Sequence, residues 1–153
     1  MGFNNLTGTI PVSPIAQLRV LQHLVLNGNH LSGSIPSEVG LLRQCLALDL
    51  SNNILTGKIP TELGSMPLIE VYLAYNQLTG FIPTELAQMT ELEVLSFDHN
   101  MLTGTLPSDL GKMASLTYLG LSNNRLDGPI PSELGGIIAV ILTWKIGSRL
   151  WKR

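Results

Sequence analysis

The feature that most constrains this chain is a repeat of about 24 residues, in which three residue types keep the same spacing. They are the asparagines Asn4, Asn29, Asn53, Asn76, Asn100 and Asn124, the glycines Gly8, Gly33, Gly57, Gly80, Gly104 and Gly128, and the prolines Pro11, Pro36, Pro60, Pro83, Pro107 and Pro131. Each series steps by 25, 24, 23, 24 and 24 residues. A shared period in this range predicts a stack of similar units, because one unit alone cannot bury its apolar side.

Each period begins with the pattern of a short strand followed by a turn. Apolar residues alternate at Leu24/Leu26, Leu48/Leu50, Val71/Leu73, Leu95/Phe97 and Leu119/Leu121. This alternation directs one set of side chains to one side of a strand. An asparagine follows each strand, and its amide can satisfy backbone groups that a turn leaves unpaired. We therefore predict a ladder of stacked asparagines at Asn29, Asn53, Asn76, Asn100 and Asn124.

The second half of each period predicts an extended segment and then one short helical turn. In one repeat, Gly57 allows a tight or left-handed backbone, whereas Pro60 fixes φ and removes a hydrogen-bond donor. Thr61 is placed to cap the helical turn and Gly64 to stop it. The segment 66–70 is one residue shorter than its counterparts, which we interpret as a loop deletion.

The stretch Leu42–Gly64 and its counterparts resemble the plant-type leucine-rich repeat, written LxxLxxLxLxxNxLxGxIPxxLGxL. The resemblance implies an α/β fold, a leucine-rich-repeat solenoid. This is a curved right-handed coil with a parallel β-sheet on its concave face and short 3-10 turns on its convex side. We expect one solenoid domain at 1–147, with about five full repeats and partial end repeats, followed by a basic tail at 148–153.

The resemblance also implies a function, since such repeats build ectodomains of receptor-like kinases, receptor-like proteins and polygalacturonase inhibitors. It implies a non-enzymatic scaffold that binds a protein or peptide through the concave sheet face, outside the cell or at its surface. The chain departs from secreted family members because Cys45 is its only cysteine, so paired capping cysteines are absent. With its abrupt beginning, this favours a fragment of a receptor-like or inhibitor-like protein.

Charge and motifs exclude several other functions. Residues 1–144 carry five Lys and Arg against eleven Asp and Glu, a charge of −6 (5 − 11), so we expect no nucleic-acid partner. We find no secretory signal, no apolar run of the length that a membrane span needs, and no kinase signature. His23 and His30 lack partners at ligand spacing, so we predict no metal and no cofactor.

The C-terminal segment predicts a further strand and a tail. The apolar, β-branched run at 137–144 is interpreted as a sixth strand. If this repeat also lacks one residue, Leu142 and Trp144 take the inward positions and Gly147 replaces the asparagine. The tail Arg149–Arg153 either folds over the open end of the stack or lies on an anionic membrane surface. We favour the cap, since the open end of a solenoid exposes apolar core.

Binding residues are expected at outward-facing strand positions, because the core does not dictate them. The richest group combines aromatic and acidic residues, namely Glu70, Tyr72, Tyr75, Ser96, Asp98, His99 and Tyr118. We interpret it as a partner-binding patch for a polar or basic ligand; the alternative is a solvated sheet face. Catalysis by Asp98 and His99 is not expected, because neighbouring strand residues point to opposite faces.

Two other functions remain open on the sequence alone. One is a surface ladder such as ice binding, through two columns of hydroxyl-rich positions: Thr9, Ser34, Lys58, Phe81, Thr105 and Pro129; and Thr7, Ser32, Thr56, Thr79, Thr103 and Asp127. The first column is interrupted three times, whereas the second is unbroken up to Asp127. The other possibility is a truncated gene product without independent activity.

Overall fold

The computed structural model describes residues 4–136, 141–146 and 149–151, and side chains between residues 4 and 135. Its main sheet has seven strands, in the order β12-β11-β9-β7-β5-β4-β2. They are β2 (His23–Val25), β4 (Ala47–Asp49), β5 (Glu70–Tyr72), β7 (Val94–Ser96), β9 (Tyr118–Gly120), β11 (Ile141–Ile146) and β12 (Arg149–Trp151). Six of them, from β2 to β11, come one from each repeat and pair in parallel with the strands of the neighbouring repeats. The predicted parallel stack is confirmed.

The repeat spacing fixes how the strands align. Leu24, Leu48, Val71, Leu95 and Leu119 pair directly in successive strands. All five are buried, so the alternating apolar positions form continuous rows in the core. Because the side-chain period of a strand is two, the intervening positions form rows on the outer face of the sheet.

The Gly-Pro segments form a second set of short parallel strands along the side of the stack. They are β1 (Thr7–Thr9), β3 (His30–Ser32), β6 (Thr79–Gly80), β8 (Met101–Thr105) and β10 (Arg125–Asp127). β1 pairs with β3, and β8 lies between β6 and β10. A proline closes each segment and donates no hydrogen bond, which accounts for strands of only two to five residues.

Short helical turns lie on the side of the core opposite the main sheet. They are α1 (Val12–Ile15) and the 3-10 helices η1 (Ser37–Leu41), η2 (Thr61–Ser65), η3 (Thr84–Gln88), η4 (Ser108–Lys112) and η5 (Ser132–Gly136). Between sheet and helices, the core is filled by leucines and other apolar residues that are almost fully buried. Cys45 is one of them, and burial raises the pKa of its thiol.

The predicted capping of the helical turns is wrong in detail. Pro60 precedes η2, no side chain caps the helix by a hydrogen bond, and the Thr61 hydroxyl donates to Glu62 instead. Gly64 lies inside η2, where a Cβ would overlap the backbone carbonyl oxygen of Glu85 in the next repeat. Glycine is therefore required there by close packing between repeats.

The asparagine column joins each repeat to the preceding one. Asn76 is buried, and its Nδ2 donates to the carbonyl oxygens of Leu50 at 3.0 Å, Leu73 at 3.2 Å and Ala74 at 3.4 Å. Its Oδ1 accepts a hydrogen bond from the backbone N–H of Leu55 at 3.0 Å. The other asparagines of the column make related hydrogen bonds, and each of them bonds to the preceding repeat. These are Asn29, Asn53, Asn100 and Asn124.

The one-residue deletion is absorbed where η2 ends. The helices η1, η3 and η4 are followed by a residue with ψ between 73° and 81°, whereas Met66 after η2 has a ψ of 149°. Pro67 follows Met66, and a residue before proline is pushed toward such an extended conformation. The shorter connection leaves the strand alignment unchanged, since Val71 still pairs with Leu48 and Leu95.

The C-terminal strand prediction is confirmed in its alignment. β11 pairs in parallel with β9, and Leu142 lies opposite Leu119 as predicted. β12 then pairs antiparallel with β11, so the sheet continues beyond residue 147. The domain boundary at residue 147 stays a prediction. The first half of the predicted strand, 137–140, lies outside the described residues, as do Gly147 and the side-chain placement of Trp144.

Candidate partner-binding site

The seven predicted binding residues all lie on or just beyond three adjacent strands, β5, β7 and β9, on the outer face of the main sheet. Their exposure differs more than expected. Tyr75 is exposed, and the partly exposed members are Glu70, Tyr72, His99 and Tyr118. Ser96 and Asp98, expected to face solvent, are only 6% and 7% exposed. We call these seven residues the patch.

Asp98 is buried because it accepts hydrogen bonds from two strands. Its Oδ2 accepts from the hydroxyls of Ser96 at 3.1 Å and Tyr118 at 3.3 Å. Its Oδ1 accepts from the backbone N–H of Ser122 at 2.9 Å and the Ser122 hydroxyl at 2.6 Å. A buried carboxylate needs such partners to offset its lost hydration. Asp98 therefore ties the end of β7 to β9 and the turn that follows it.

Gly120 makes this position of Asp98 possible. Gly120 lies on β9 opposite Ser96, and a Cβ in its place would overlap the Oδ2 of Asp98. It would also come within 2.9 Å of Cε1 of Tyr118. The missing side chain therefore leaves the space that the carboxylate occupies.

The residues that follow the strands adopt a left-handed backbone. The φ values are 62° at Gly28, 55° at Asn52, 57° at Tyr75, 55° at His99 and 54° at Asn123. Glycine and asparagine tolerate this conformation, but a bulky aromatic residue is uncommon in it, and such a residue costs about 1–3 kcal/mol. Histidine, like asparagine, is enriched in this region, so the strain argument applies to Tyr75. Because such strain clusters at functional sites, Tyr75 is a candidate binding residue on grounds of backbone as well as composition.

The two aromatic rings stack against each other. The ring centroids of Tyr75 and His99 are 4.2 Å apart and the planes differ by 12°. Nδ2 of Asn123 lies 2.9 Å from Nε2 of His99, which fixes the imidazole from the other side. Stacked rings held in this way form a rigid surface that loses little freedom when a partner binds.

A concave pocket of about 280 Å³ opens beside the stacked rings. Its lining comprises Ala74, Tyr75, Ser96, Asp98, His99, Tyr118 and Ser122. Five of these residues were predicted from the sequence. Ala74, Ser122 and the neighbouring Asn123 were missed, because the choice favoured aromatic and acidic residues over the small polar ones in the same outward-facing rows.

The reason given against a joint action of Asp98 and His99 is wrong. The two residues lie beyond the end of β7, and the left-handed backbone at His99 breaks the alternation that a strand imposes. Both side chains consequently line the same pocket. Their contacts are nevertheless structural, since Asp98 binds hydroxyls and a backbone amide, and His99 binds Tyr75 and Asn123.

The outer face of the sheet is acidic around Tyr72. Partial burial raises the pKa of Tyr72, and the negative charges of Glu70 and Asp49 raise it further. Asp49 lies opposite Tyr72 on β4, and Glu70 lies two residues before it on β5. The electrostatic field of these carboxylates therefore reaches the phenol at the centre of the face.

The second of the two columns considered for ice binding, the one that begins at Thr7, is not buried. Its members Thr7 and Thr56 are exposed, and Ser32, Thr79 and Thr103 are partly exposed. The hydroxyl of Thr79 donates to the carbonyl oxygen of Gly57 at 3.2 Å, and similar bonds form at Ser32 and Thr103. These hydroxyls thus already bind the preceding repeat, and ice binding stays a prediction that a thermal-hysteresis assay tests.

Two negative findings hold for the described residues only. Among them, no group of three or more His, Cys, Asp or Glu side chains is arranged to hold a metal ion. None of the helices within the described ranges is long and apolar enough to cross a membrane.

Stacked repeats with parallel strands, an asparagine column and short 3-10 turns define the class of repeat solenoids. Family models described as leucine-rich repeat match residues 67–126, 20–42 and 46–66. A chain of the BIR3–SERK2 complex from Arabidopsis thaliana is 38% identical, with 88% of this chain and 71% of that chain covered and a TM-score of 0.72. The chain belongs to the leucine-rich repeat family.

Two further solved structures show how widely the fold is shared. The plant peptide hormone receptor RGFR1, in complex with RGF2, is 37% identical over 92% of this chain, with a TM-score of 0.85. The match covers 24% of that receptor, so this chain spans about a quarter of its length. A leucine-rich-repeat protein of Leptospira interrogans, LIC12759, is 34% identical over 90% of this chain and 34% of that chain, with a TM-score of 0.76. No curated protein sequence matches the chain.

Proposed function

We propose that this chain is a non-enzymatic recognition scaffold that binds a protein or peptide through the outer face of its main sheet, at the patch. The observation that carries the proposal is the Tyr75–His99 stack, which is held on a left-handed backbone beside an open pocket. Tyr75 keeps 51% of its surface exposed, although burial of a ring is normally favourable. Exposed, rigid aromatic side chains are typical anchors for a binding partner.

The proposal also draws on similar structures. RGFR1 is a peptide hormone receptor in complex with RGF2, and HAESA, 31% identical to this chain, is in complex with a peptide hormone and a co-receptor. We propose an extended peptide or loop as the partner here. The patch covers three strands about 4.8 Å apart, so an extended segment of about three residues crosses it.

We propose in addition that the chain corresponds to part of a receptor-like or inhibitor-like protein. This is supported by its match to a quarter of RGFR1 and to most of a chain in the BIR3–SERK2 complex. Sequencing the transcript tests the proposal. Cysteine-paired caps, a membrane span or a kinase domain in the same reading frame would support it, and a reading frame without further repeats or domains would contradict it.

Peptide selection with the substitution Tyr75→Asn tests the binding site. Asparagine occupies the same left-handed position in two other repeats, at Asn52 and Asn123, so this change removes the ring without straining the backbone. Random linear peptides displayed on phage are selected on the parent chain, and the affinity of each synthetic peptide is then measured for both chains. We expect selected peptides to lose about 2 kcal/mol or more of binding free energy, about thirtyfold in Kd.

The matched control is Phe81→Ala. Phe81 is also a large exposed aromatic residue, at 68%, but it lies on the side of the stack, next to Gly104. We expect its loss to leave the affinity of the same peptides unchanged. Peptides that bind the parent chain, Tyr75→Asn and Phe81→Ala alike, or that respond only to Phe81→Ala, would contradict binding at the patch.

A further inference from the structure

The ligand chemistry of the pocket follows from its charges and hydrogen bonds, and this inference rests on the proposed function. We propose that the pocket beside Asp98 takes the cationic group of an Arg or Lys side chain from the bound peptide. The outer face of the main sheet carries negative charge. Its outward positions from His23 to Asn123 contain three carboxylates, Asp49, Glu70 and Asp98, and neither Lys nor Arg.

The hydroxyls around Asp98 are oriented toward its carboxylate. The hydroxyl groups of Ser96, Tyr118 and Ser122 each donate their hydrogen to this carboxylate. A hydroxyl has one hydrogen and two lone pairs, so each oxygen can still accept a hydrogen bond. This holds for Ser122 as well, whose oxygen already accepts one from Nδ2 of Asn123 at 3.4 Å. The hydroxyls that line the pocket therefore accept hydrogen bonds, and a group with several N–H donors and no acceptor suits them best. Arg and Lys side chains are such groups.

The role of Asp98 is to position these acceptors and to supply negative charge. The four hydrogen bonds described above occupy about the four lone-pair sites of a carboxylate, so the cation binds through the hydroxyl oxygens and not in direct contact with Asp98. The surrounding protein weakens the attraction less than bulk water does. Asp98 is thus a positioning residue, and Tyr118 and Ser122 contact the ligand.

The rings and the size of the pocket fit the same ligand. Tyr75, His99 and Tyr118 border the pocket, and aromatic faces attract cations electrostatically. A volume of about 280 Å³ lies just below the range of about 300–1,000 Å³ that is typical of small-molecule sites. A single side chain of a larger partner therefore suits the pocket better than an independent small molecule.

The test uses peptides selected on the parent chain whose affinity depends on Tyr75. In each peptide, every Arg is replaced by citrulline and every Lys by norleucine, which removes the positive charge and largely retains the shape. Binding is measured by fluorescence anisotropy to the parent chain and to Asp98→Asn. At one basic position of the peptide, we expect neutralisation to weaken binding to the parent chain about tenfold or more. The same neutralisation should weaken binding to Asp98→Asn less than about twofold.

Two further variants make the result specific. Tyr118→Phe removes only the phenol hydroxyl and replaces Asp98→Asn if that variant fails to fold; it too should reduce the effect of charge neutralisation. Asp127→Asn is the matched control, because it removes the same charge from an exposed position on β10, in a different sheet. It should leave the tenfold effect in place.

The outcomes separate this inference from the proposed function. If Tyr75-dependent peptides contain no basic residue, or if neutralisation weakens binding equally on the parent chain, Asp98→Asn and Tyr118→Phe, the cation site is refuted and the binding patch stands. If no selected peptide distinguishes the parent chain from Tyr75→Asn, the patch and the cation site both fail.

Discussion

Removing one amide from the asparagine column should destabilise the whole chain, and Asn76→Ala is the most direct way to test this. The substitution leaves the buried N–H of Leu55 without its acceptor. An orphaned buried donor costs about 1–3 kcal/mol. The carbonyl oxygens of Leu50, Leu73 and Ala74 lose the Nδ2 donor as well. Because the lost bonds add about 1 kcal/mol, we expect the free energy of unfolding to fall by about 2–4 kcal/mol.

The assay is urea unfolding followed by circular dichroism, with the free energy obtained by linear extrapolation. Gln77→Ala is the matched control, because Gln77 is the next residue and its side chain is exposed. Substitutions at such positions usually change stability by no more than about 0.5 kcal/mol. The slope of the free energy against urea should stay the same if Asn76→Ala leaves the folded repeats intact.

A loss below about 1 kcal/mol would refute this reasoning, because it would mean that backbone groups at the turn find other partners once the amide is gone. A loss equal to that of Gln77→Ala would refute it as well. Either result would reduce the asparagine column to a local turn preference with no part in joining repeats.

Three further predictions concern packing, the buried thiol and the acidic face. Gly64→Ala should destabilise the chain by about 1–3 kcal/mol in the same urea assay, because its Cβ would overlap the carbonyl oxygen of Glu85. Cys45 should react with iodoacetamide at pH 8 only when the chain unfolds, since it is fully buried and burial raises its pKa above 9.0. Because the pKa of this thiol is higher in the folded chain than in the unfolded chain, the stability of the fold depends on pH. The contribution of the protonated thiol to stability is complete below pH 9.0 and is lost as the pH rises through the folded pKa. In absorbance titrations the pKa of Tyr72 should fall in Glu70→Gln, because a negative charge that raises it is removed.

Each of these predictions has a control or an outcome that contradicts it. Gly135→Ala should be tolerated, since a Cβ there meets no atom within 4 Å; equal losses at both glycines would refute the packing argument. Alkylation of native Cys45 at the rate of a free thiol would contradict its burial. Tyr72 is isolated by subtracting the titration of Tyr72→Phe, and an unchanged pKa in Glu70→Gln would remove the proposed field at the face.

The fold could be predicted from the sequence because each repeat uses the same residue types at the same positions to satisfy its backbone groups. The amide of Asn76 and the glycine at Gly57 act on backbone groups within one repeat or between neighbours, so their spacing carries the architecture. The family resemblance was specific for the same reason. The role of Gly64 could not be derived in this way, because what excludes a Cβ is the backbone of the next repeat.

The candidate site could be predicted only in part. The rows of outward-facing positions led to Tyr75 and His99. Their left-handed backbone could also have been predicted, because Gly28, Asn52 and Asn123, which favour this conformation, occupy the equivalent positions. The burial of Asp98 had no local signal. It depends on the absence of a side chain at Gly120, which is on the neighbouring strand.

The hydrogen bonds of the asparagine column also bear on how a gene for such a chain can change in length. Asn76 and Asn100 reach into the preceding repeat and no further, so every internal junction is made in the same way. Recombination that duplicates or removes one unit of 23 to 25 residues therefore recreates the junction it cuts. Gain or loss of units shifts the patch along the coil and leaves the bonding between neighbours as it was.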